Sequence, residues 1–326
     1  MIDFMIGITL GDPAGIGPEI VVKALASQKD LGRFVVYGER AALEDALSLC
    51  KLKMGICSPE EKREGCIRLH DTATLERGGY RMGCESAECG RASFLAIEAA
   101  VEDALSGALS SVCTAPINKR SLHLAKVPYI GHTEIFAQLT GASDPLTMFA
   151  VDRLRIFFLS RHVSLSQAIA LVTYDRLIDY IPRCIRELEK LGVEGTLAVA
   201  GLNPHCGDGG LFGSEDRVVG EAVASCCSRG LDVVGPVGAD SVFAQCLKGR
   251  YAAVLSLYHD QGHIAAKTYD FERTVSLTLG MPVLRISVDH GTAFDIAGRG
   301  VADSRGMEEV LRLALDVEAR RKGSSR

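Results

Sequence analysis

The chain has 326 residues, 47% hydrophobic and 24% charged, with a net charge of −5, which is ordinary globular composition long enough for two lobes rather than one core. With no basic block beyond Arg320-Arg321-Lys322, a nucleic-acid surface and an anionic membrane are both disfavoured. The start MIDFMIGITLGDPAG lacks the flanks of a signal peptide, no apolar run approaches a span, and eleven scattered cysteines without a CxxC pair point to reduced thiols and a cytoplasmic location.

Short apolar runs alternate with longer amphipathic stretches, the signature of strand–helix–strand units and a mostly parallel α/β sheet. Strands are predicted over Met5–Leu10, Phe34–Tyr37, Ser111–Thr114, Arg155–Leu159, Thr196–Ala200, Ala252–Leu257 and Val283–Val288. Helices are predicted over Glu19–Ser27, Ala41–Leu49, Ala92–Leu105, Ser166–Glu187, Arg217–Ser228 and Met307–Arg320. Lobe boundaries near Thr140 and Gly280 divide the chain into 1–140 plus 281–326 and 141–280.

Six strands run into polar, Gly- or Pro-marked segments: GDPAGIGPE, APINK, SRH, GLNPHCGDGG, YHDQGH and DHGTAFDIAG. Open α/β sheets bind ligands beyond the carboxyl ends of their strands. His162, His205 and His259 each sit a few residues past such an end. In matched register they would converge on one divalent metal, zinc, cobalt or magnesium, leaving positions open for substrate. Taken singly, each reads rather as a loop histidine bonded to backbone, and only the matched register of all three favours the metal. Asp260 and Cys206 are weaker ligand candidates beside them.

GDPAGIGPEI carries Gly15, Gly17 and Pro18 at a helix start, a possible anion turn or a plain tight one. It is not the Rossmann fingerprint, lacking the third glycine in place. GHTE (131–134), Lys267, Ser276 and Arg285 supply donors for an acidic, phosphorylated substrate. Lys267 and Arg285 are otherwise solvated charges. Asp240 pairs with a substrate ammonium or caps a helix. His263, His290, His70 and His123 read as structural or exposed.

Together these motifs, with LTLGMP, resemble the 4-hydroxythreonine-4-phosphate dehydrogenases of vitamin B6 biosynthesis over nearly the whole chain. The first and last elements also resemble isocitrate and isopropylmalate dehydrogenases, which implies a two-lobed fold of that kind and dinucleotide binding without a Rossmann fingerprint. The resemblance implies metal ligands His162, His205 and His259, shared across a homodimer. It implies substrate contacts at His132, Thr133, Lys267 and Arg285, and places Ser276 where the family usually has asparagine. NAD or NADP would lie against Leu279, Gly280, Pro282, His290, Gly291, Thr292, Asp295 and Gly298. The implied reaction is oxidative decarboxylation of 4-phosphohydroxy-L-threonine to 3-amino-2-oxopropyl phosphate, with Lys267 or a water relayed through Asp240 as proton acceptor. A sister enzyme acting on 4-phosphothreonate or erythronate, and more remotely a metal-dependent hydrolase or a non-catalytic binding protein, share features of this pattern.

Overall fold

The computed structural model describes residues 5–61 and 63–324. Its strands are β1 (Met5–Thr9), β2 (Phe34–Gly38), β3 (Gly55–Cys57), β4 (Cys66–Asp71), β5 (Leu109–Thr114) and β6 (Leu146–Val151). They continue as β7 (Leu154–Phe158), β8 (Leu197–Ala200), β9 (Val233–Val237), β10 (Ala253–Ser256), β11 (Val275–Leu279) and β12 (Arg285–Val288). Two compact units result, Met1–Pro145 with Met281–Glu318, and Leu146–Gly280 with Ala319–Arg326.

In the first unit the strand order is β3-β4-β2-β1-β5-β12, every neighbour parallel. Strands β1 (MIGIT) and β2 (FVVYG) read as near-continuous apolar runs, as expected of strands buried on both faces of a parallel sheet. Val35, Tyr37, Ile97, Val112 and Phe136 form one of its buried clusters. Complete burial contributes about 1.5–3 kcal/mol per large apolar side chain.

In the second unit the order is β11-β6-β7-β10-β8-β9. Here β11–β6 and β6–β7 are antiparallel, while β7, β10, β8 and β9 run parallel. The β6–β7 turn spans only Asp152-Arg153, short enough to force an antiparallel hairpin. Strand β9 also contains a cis Gly235–Pro236 bond.

The seven predicted strands form. The helix expected over Ser166–Glu187 does not: it divides into Leu165–Ala170 and Tyr174–Lys190. Ser164 opens the first piece with a capping box. The Thr173 side chain accepts from Arg176 N to start the second, so a cap interrupts what apolar spacing reads as continuous.

Two buried carboxylates pin the loop edge of the first unit. Glu19 accepts from Lys23 Nζ at 2.7 Å and Ala302 N at 2.8 Å, and Lys23 also reaches the carbonyls of Gly300 and Ala302. Glu39 accepts from the Thr72 and Thr74 hydroxyls and from Thr74 N and Leu75 N. Glu19 is buried while Lys23 is a quarter exposed, so removing Lys23 would leave a buried carboxylate charge without its cation.

Candidate functional site

The adjacency β7-β10-β8 sets three polar turns side by side at one sheet edge of the second unit. His259 heads the helix His259–Tyr269 after β10, and His162 follows β7. Their ring centroids lie 5.7 Å apart, tilted by 46°. Both line a cavity of about 270 Å³, with Arg161, Leu165, Tyr258 and Asp260.

Asp260 Oδ1 lies 2.7 Å from His259 Nδ1. A carboxylate on one ring nitrogen fixes the tautomer and leaves Nε2 as the ligand atom. His263 stacks on His259 at 3.6 Å and packs against Phe149 and Phe158, while its Nδ1 lies 2.9 Å from the His259 carbonyl. His263 therefore backs His259 by packing.

His205 behaves differently. It opens a run of left-handed residues, His205, Cys206, Gly207, Asp208 and Gly209, and stands exposed with its ring 6.5 Å from that of Phe212. Three of these lack the freedom of glycine, so the loop holds about 1–3 kcal/mol of strain per residue. Among the described residues no three His, Cys, Asp or Glu side chains gather as a ligand set. One chain thus brings together two of the three expected histidines. The pair fits a divalent ion on its donor chemistry: two imidazoles, one already oriented by a carboxylate. Cys206 is a poor substitute, since burial and the charges of Asp216 and Asp240 push its thiol pKa up.

The loops bearing these histidines are tied together by residues to which the sequence assigned no role. Gln261 accepts from Leu257 N at 2.7 Å and donates to the Gly201 carbonyl at 2.8 Å. Asp216 accepts from Leu202 N, Asn203 N and Asn203 Nδ2. Gln261 stands inside YHDQGH, where nothing distinguishes it from the other polar residues of that turn.

Lys267 shares a helix face with His259 and His263, at spacings of eight and four, which puts it about 12 Å along the axis from His259. Its Nζ lies 5.2 Å from the Phe271 ring. Ser276 is half-buried in β11, opposite Phe149 of β6. Asp240 is exposed in the first turn of Ala239–Leu247, whose N-cap is Gly238. The capping alternative for Asp240 is therefore corrected: it lies inside the helix, complementing the dipole.

In the first unit, adjacent parallel strands β1, β5 and β12 carry the turns GDPAGIGPE, APINK and DHGTAFDIAG. The first and third interlock, as Ile16 N donates to the Thr292 carbonyl at 3.0 Å. A Cβ on Gly15 would meet Thr292 Cβ at 2.9 Å, which explains the glycine. His290 Nδ1 lies 3.0 Å from the Gly291 carbonyl, and Gly291 and Asp295 are exposed. Gly298 has φ +76° against Met82. Leu279 and Gly280 (φ +77°) close the second unit, and Pro282 is exposed in the first.

Arg285 is buried, donates through Nε to Thr114 Oγ1 at 3.1 Å, and sits 5.6 Å from the Phe136 ring centre. Burial brings its pKa down to about 9, so it stays charged at neutral pH. His132 begins the helix His132–Thr140, followed by Thr133. Its Nε2 is shut from solvent with no hydrogen-bond partner. Burial, then the Arg285 charge, hold its pKa well below the usual histidine value. A neutral imidazole, a buried guanidinium and the N–H groups of a helix start together suit an anion.

Two α/β units with polar turns on parallel strands, an anion-seeking Arg285 and an oriented histidine pair define an enzyme rather than a structural protein. The sequence profile of the family described as Pyridoxal phosphate biosynthetic protein PdxA matches residues 30–314, and the chain belongs to that family. A protein of Symbiobacterium thermophilum is 52% identical over 324 residues, covering 97% of each chain. One of Fusobacterium nucleatum is 50% identical over 317 residues, covering 95% of this chain and 96% of its own. Both bear the provisional name D-threonate 4-phosphate dehydrogenase. The crystal structure of 4-hydroxythreonine-4-phosphate dehydrogenase from Klebsiella pneumoniae is 39% identical, with a TM-score of 0.88 over 96% of this chain and 99% of its own. The chain is an oxidoreductase, a dehydrogenase of the PdxA family. Among its described residues no helix is long and apolar enough to cross a membrane.

Proposed function

We propose that the enzyme catalyses NAD(P)-linked, metal-dependent oxidative decarboxylation of a four-carbon, 4-phosphorylated hydroxy acid, with D-threonate 4-phosphate as substrate. For that choice the carrying observation is sequence identity: 50–52% to proteins provisionally named for threonate phosphate, against 39% to the hydroxythreonine phosphate enzyme. Ser276 supports it, because serine offers no amide at the position where the resemblance leads one to expect asparagine. An acid without an ammonium group also requires no carboxylate partner, and exposed Asp240 is then free of that task.

A bound divalent cation (zinc, cobalt or magnesium) would supply Lewis acidity and a bound nicotinamide would supply a hydride acceptor. His162 and His259 would hold the cation, with Asp260 fixing the His259 tautomer. In the first unit His132, Thr133 and Arg285 would bind an anionic group. Neutral His132 can donate to it without adding charge. Lys267, two turns from His259, suits charge neutralisation better than proton transfer at the reacting carbon. The C3 hydrogen leaves as hydride and the hydroxyl proton passes to solvent, giving a β-keto acid. Carbon dioxide then departs from C1, and C2 takes a proton, leaving a three-carbon keto phosphate. The nicotinamide is assigned to Leu279–Pro282 and to the turn bearing His290, Gly291, Thr292, Asp295 and Gly298.

The third ligand, His205, is assigned to a second copy of the chain, forming a homodimer with shared sites. Supporting this, the His205 loop also exposes Leu211 (72%) and Phe212 (48%), apolar surface that a partner would cover.

A second reading keeps 4-phosphohydroxy-L-threonine as substrate and 3-amino-2-oxopropyl phosphate as product, favoured by the hydroxythreonine phosphate enzyme's TM-score of 0.88. Turnover of both acids side by side, followed as reduced nicotinamide, separates the two. The first reading expects threonate phosphate to have the higher kcat/KM; preference for the amino acid would overturn it.

A further inference from the structure

A second cavity, of about 580 Å³, is lined by Lys29, Asp30, Gly32, Arg63, Glu64 and Arg68. It lies in the first unit, where the chain enters β2 and β4. Those strands run parallel to β1, so their amino ends face away from the edge that carries GDPAGIGPE. Nothing in the proposed reaction uses this place.

Arg68 is the unusual member. It sits in β4, in register with Val35 of β2, and is only 9% exposed. The acceptor its guanidinium has among the described residues is the Met5 sulfur, 3.0 Å from Nη1. A thioether is a weak acceptor, and a guanidinium carries five donors. Burying such a cation without a carboxylate is costly unless an anion completes it. Among the described residues neither lining carboxylate is paired with it: Asp30 Oδ1 accepts from Gly32 N at 2.9 Å, and Glu64 is exposed. Lys29 and Arg63 stand exposed at the rim, and neither is ion-paired among the described residues. A Cβ on Gly32 would stand 3.7 Å from Arg68 Nη2 and 3.0 Å from Asp30 Oδ1. Glycine there leaves the approach to the guanidinium clear.

We propose that this cavity is a binding site for a phosphorylated small molecule, with Arg68 as the buried two-pronged contact and Lys29 and Arg63 as the rim. The volume falls within the range of small-molecule sites, about 300–1,000 Å³. Arginine matches two phosphate oxygens at once, while lysine adds a point charge. The site is separate from the candidate catalytic residues, so occupancy and turnover can be read independently.

The test uses the full chain and inorganic phosphate as probe, with chloride at equal ionic strength as reference, and follows amide hydrogen exchange by segment. Phosphate is expected to slow exchange in 28–33 and 63–68. Arg68→Gln is expected to abolish that protection, raising the phosphate Kd at this site about tenfold or more. The response of 131–140, around His132, should be the same in both proteins. Unchanged exchange in 28–33 and 63–68 of the wild type overturns the proposal, as does equal protection in Arg68→Gln. Should Arg68→Gln fail to fold, the exposed double substitution Lys29→Glu, Arg63→Glu decides. Lost protection there supports the site; retained protection overturns it.

Discussion

Gln261 donates its side-chain amide to the carbonyl of Gly201 at 2.8 Å. With its oxygen on Leu257 N, that one side chain joins the loop after β8, which carries His205, to the turn after β10, which carries His259. Gln261 is 9% exposed, so both partners would be stranded without it. Gln261→Ala should cost about 1–3 kcal/mol for each buried group left unpaired. Urea unfolding measures the loss; a change below about 0.5 kcal/mol, the size of an ordinary surface substitution, would show that the bridge is dispensable.

Asp260 reaches His259 Nδ1 from an exposed position, its side chain 72% accessible. Asp260→Ala should therefore leave stability nearly unchanged and weaken zinc binding by about 10–100-fold, the usual effect of removing such an orienting group. Titration of the metal-free protein with zinc reads this directly. Unaltered affinity would mean that the carboxylate does not prepare His259.

His132 and Asp12 pull stability in opposite directions with pH. The folded pKa of His132 is held well below 6.5 by burial and Arg285. Below pH 6.5 the unfolded chain takes a proton that the folded chain refuses, so this group makes stability fall on acidification. The slope approaches about 1.4 kcal/mol per pH unit. Asp12 is raised from 3.8 to about 6 by burial, against the lowering effects of Ala14 N and the facing Ser121 hydroxyl. Its Oδ2 has no hydrogen-bond partner. Its contribution is therefore fully present below pH 3.8 and is lost as pH rises through 6. Asp12→Asn should stabilise the protein at pH 7 by up to about 3 kcal/mol, and His132→Asn should flatten the decline between pH 6.5 and 5. Denaturation midpoints across that range distinguish the two; loss of stability in Asp12→Asn at pH 7 would contradict the first.

A site shared between two copies, as proposed, would make a quantitative demand. His205→Ala and His259→Ala should each be inactive alone. If ligands come from two copies, dissociating, mixing and reassociating equal amounts should restore about a quarter of wild-type activity. Half of the dimers are then mixed, and each mixed dimer has one intact site of two. A mixture that reassociates and stays inactive would refute sharing.

The neighbourhood of His162 and His259 was legible in the sequence because each lies in the first turn after an apolar run, and parallel strands place such turns on one edge. The outward course of His205 was not. Spacing carries no trace of a left-handed run, and only the glycines at 207, 209 and 210 hint at one. Strands β3, β4, β6, β9 and β11 were not predicted: β3 has three residues, β4 (CIRLHD) carries charge and β9 (VVGPV) carries a proline, while the direction of β6 and β11 against their neighbours leaves no mark in an apolar run. The break at Leu171–Thr173 was hidden by continuous helical periodicity, although Thr173 is a good cap. Glu39, Gln261 and Asp216 were invisible because polar residues that satisfy loop backbone look, in one dimension, like ordinary loop polarity.

The central claim is oxidation coupled to loss of carbon dioxide. It is tested most directly by incubating zinc- or cobalt-loaded enzyme with NAD and D-threonate 4-phosphate labelled at the carboxyl carbon. The account predicts one labelled carbon dioxide per reduced nicotinamide, and neither from enzyme stripped of metal by chelation. Reduced cofactor without labelled gas, or no reaction from a folded, metal-loaded dimer with either four-carbon acid, would contradict it.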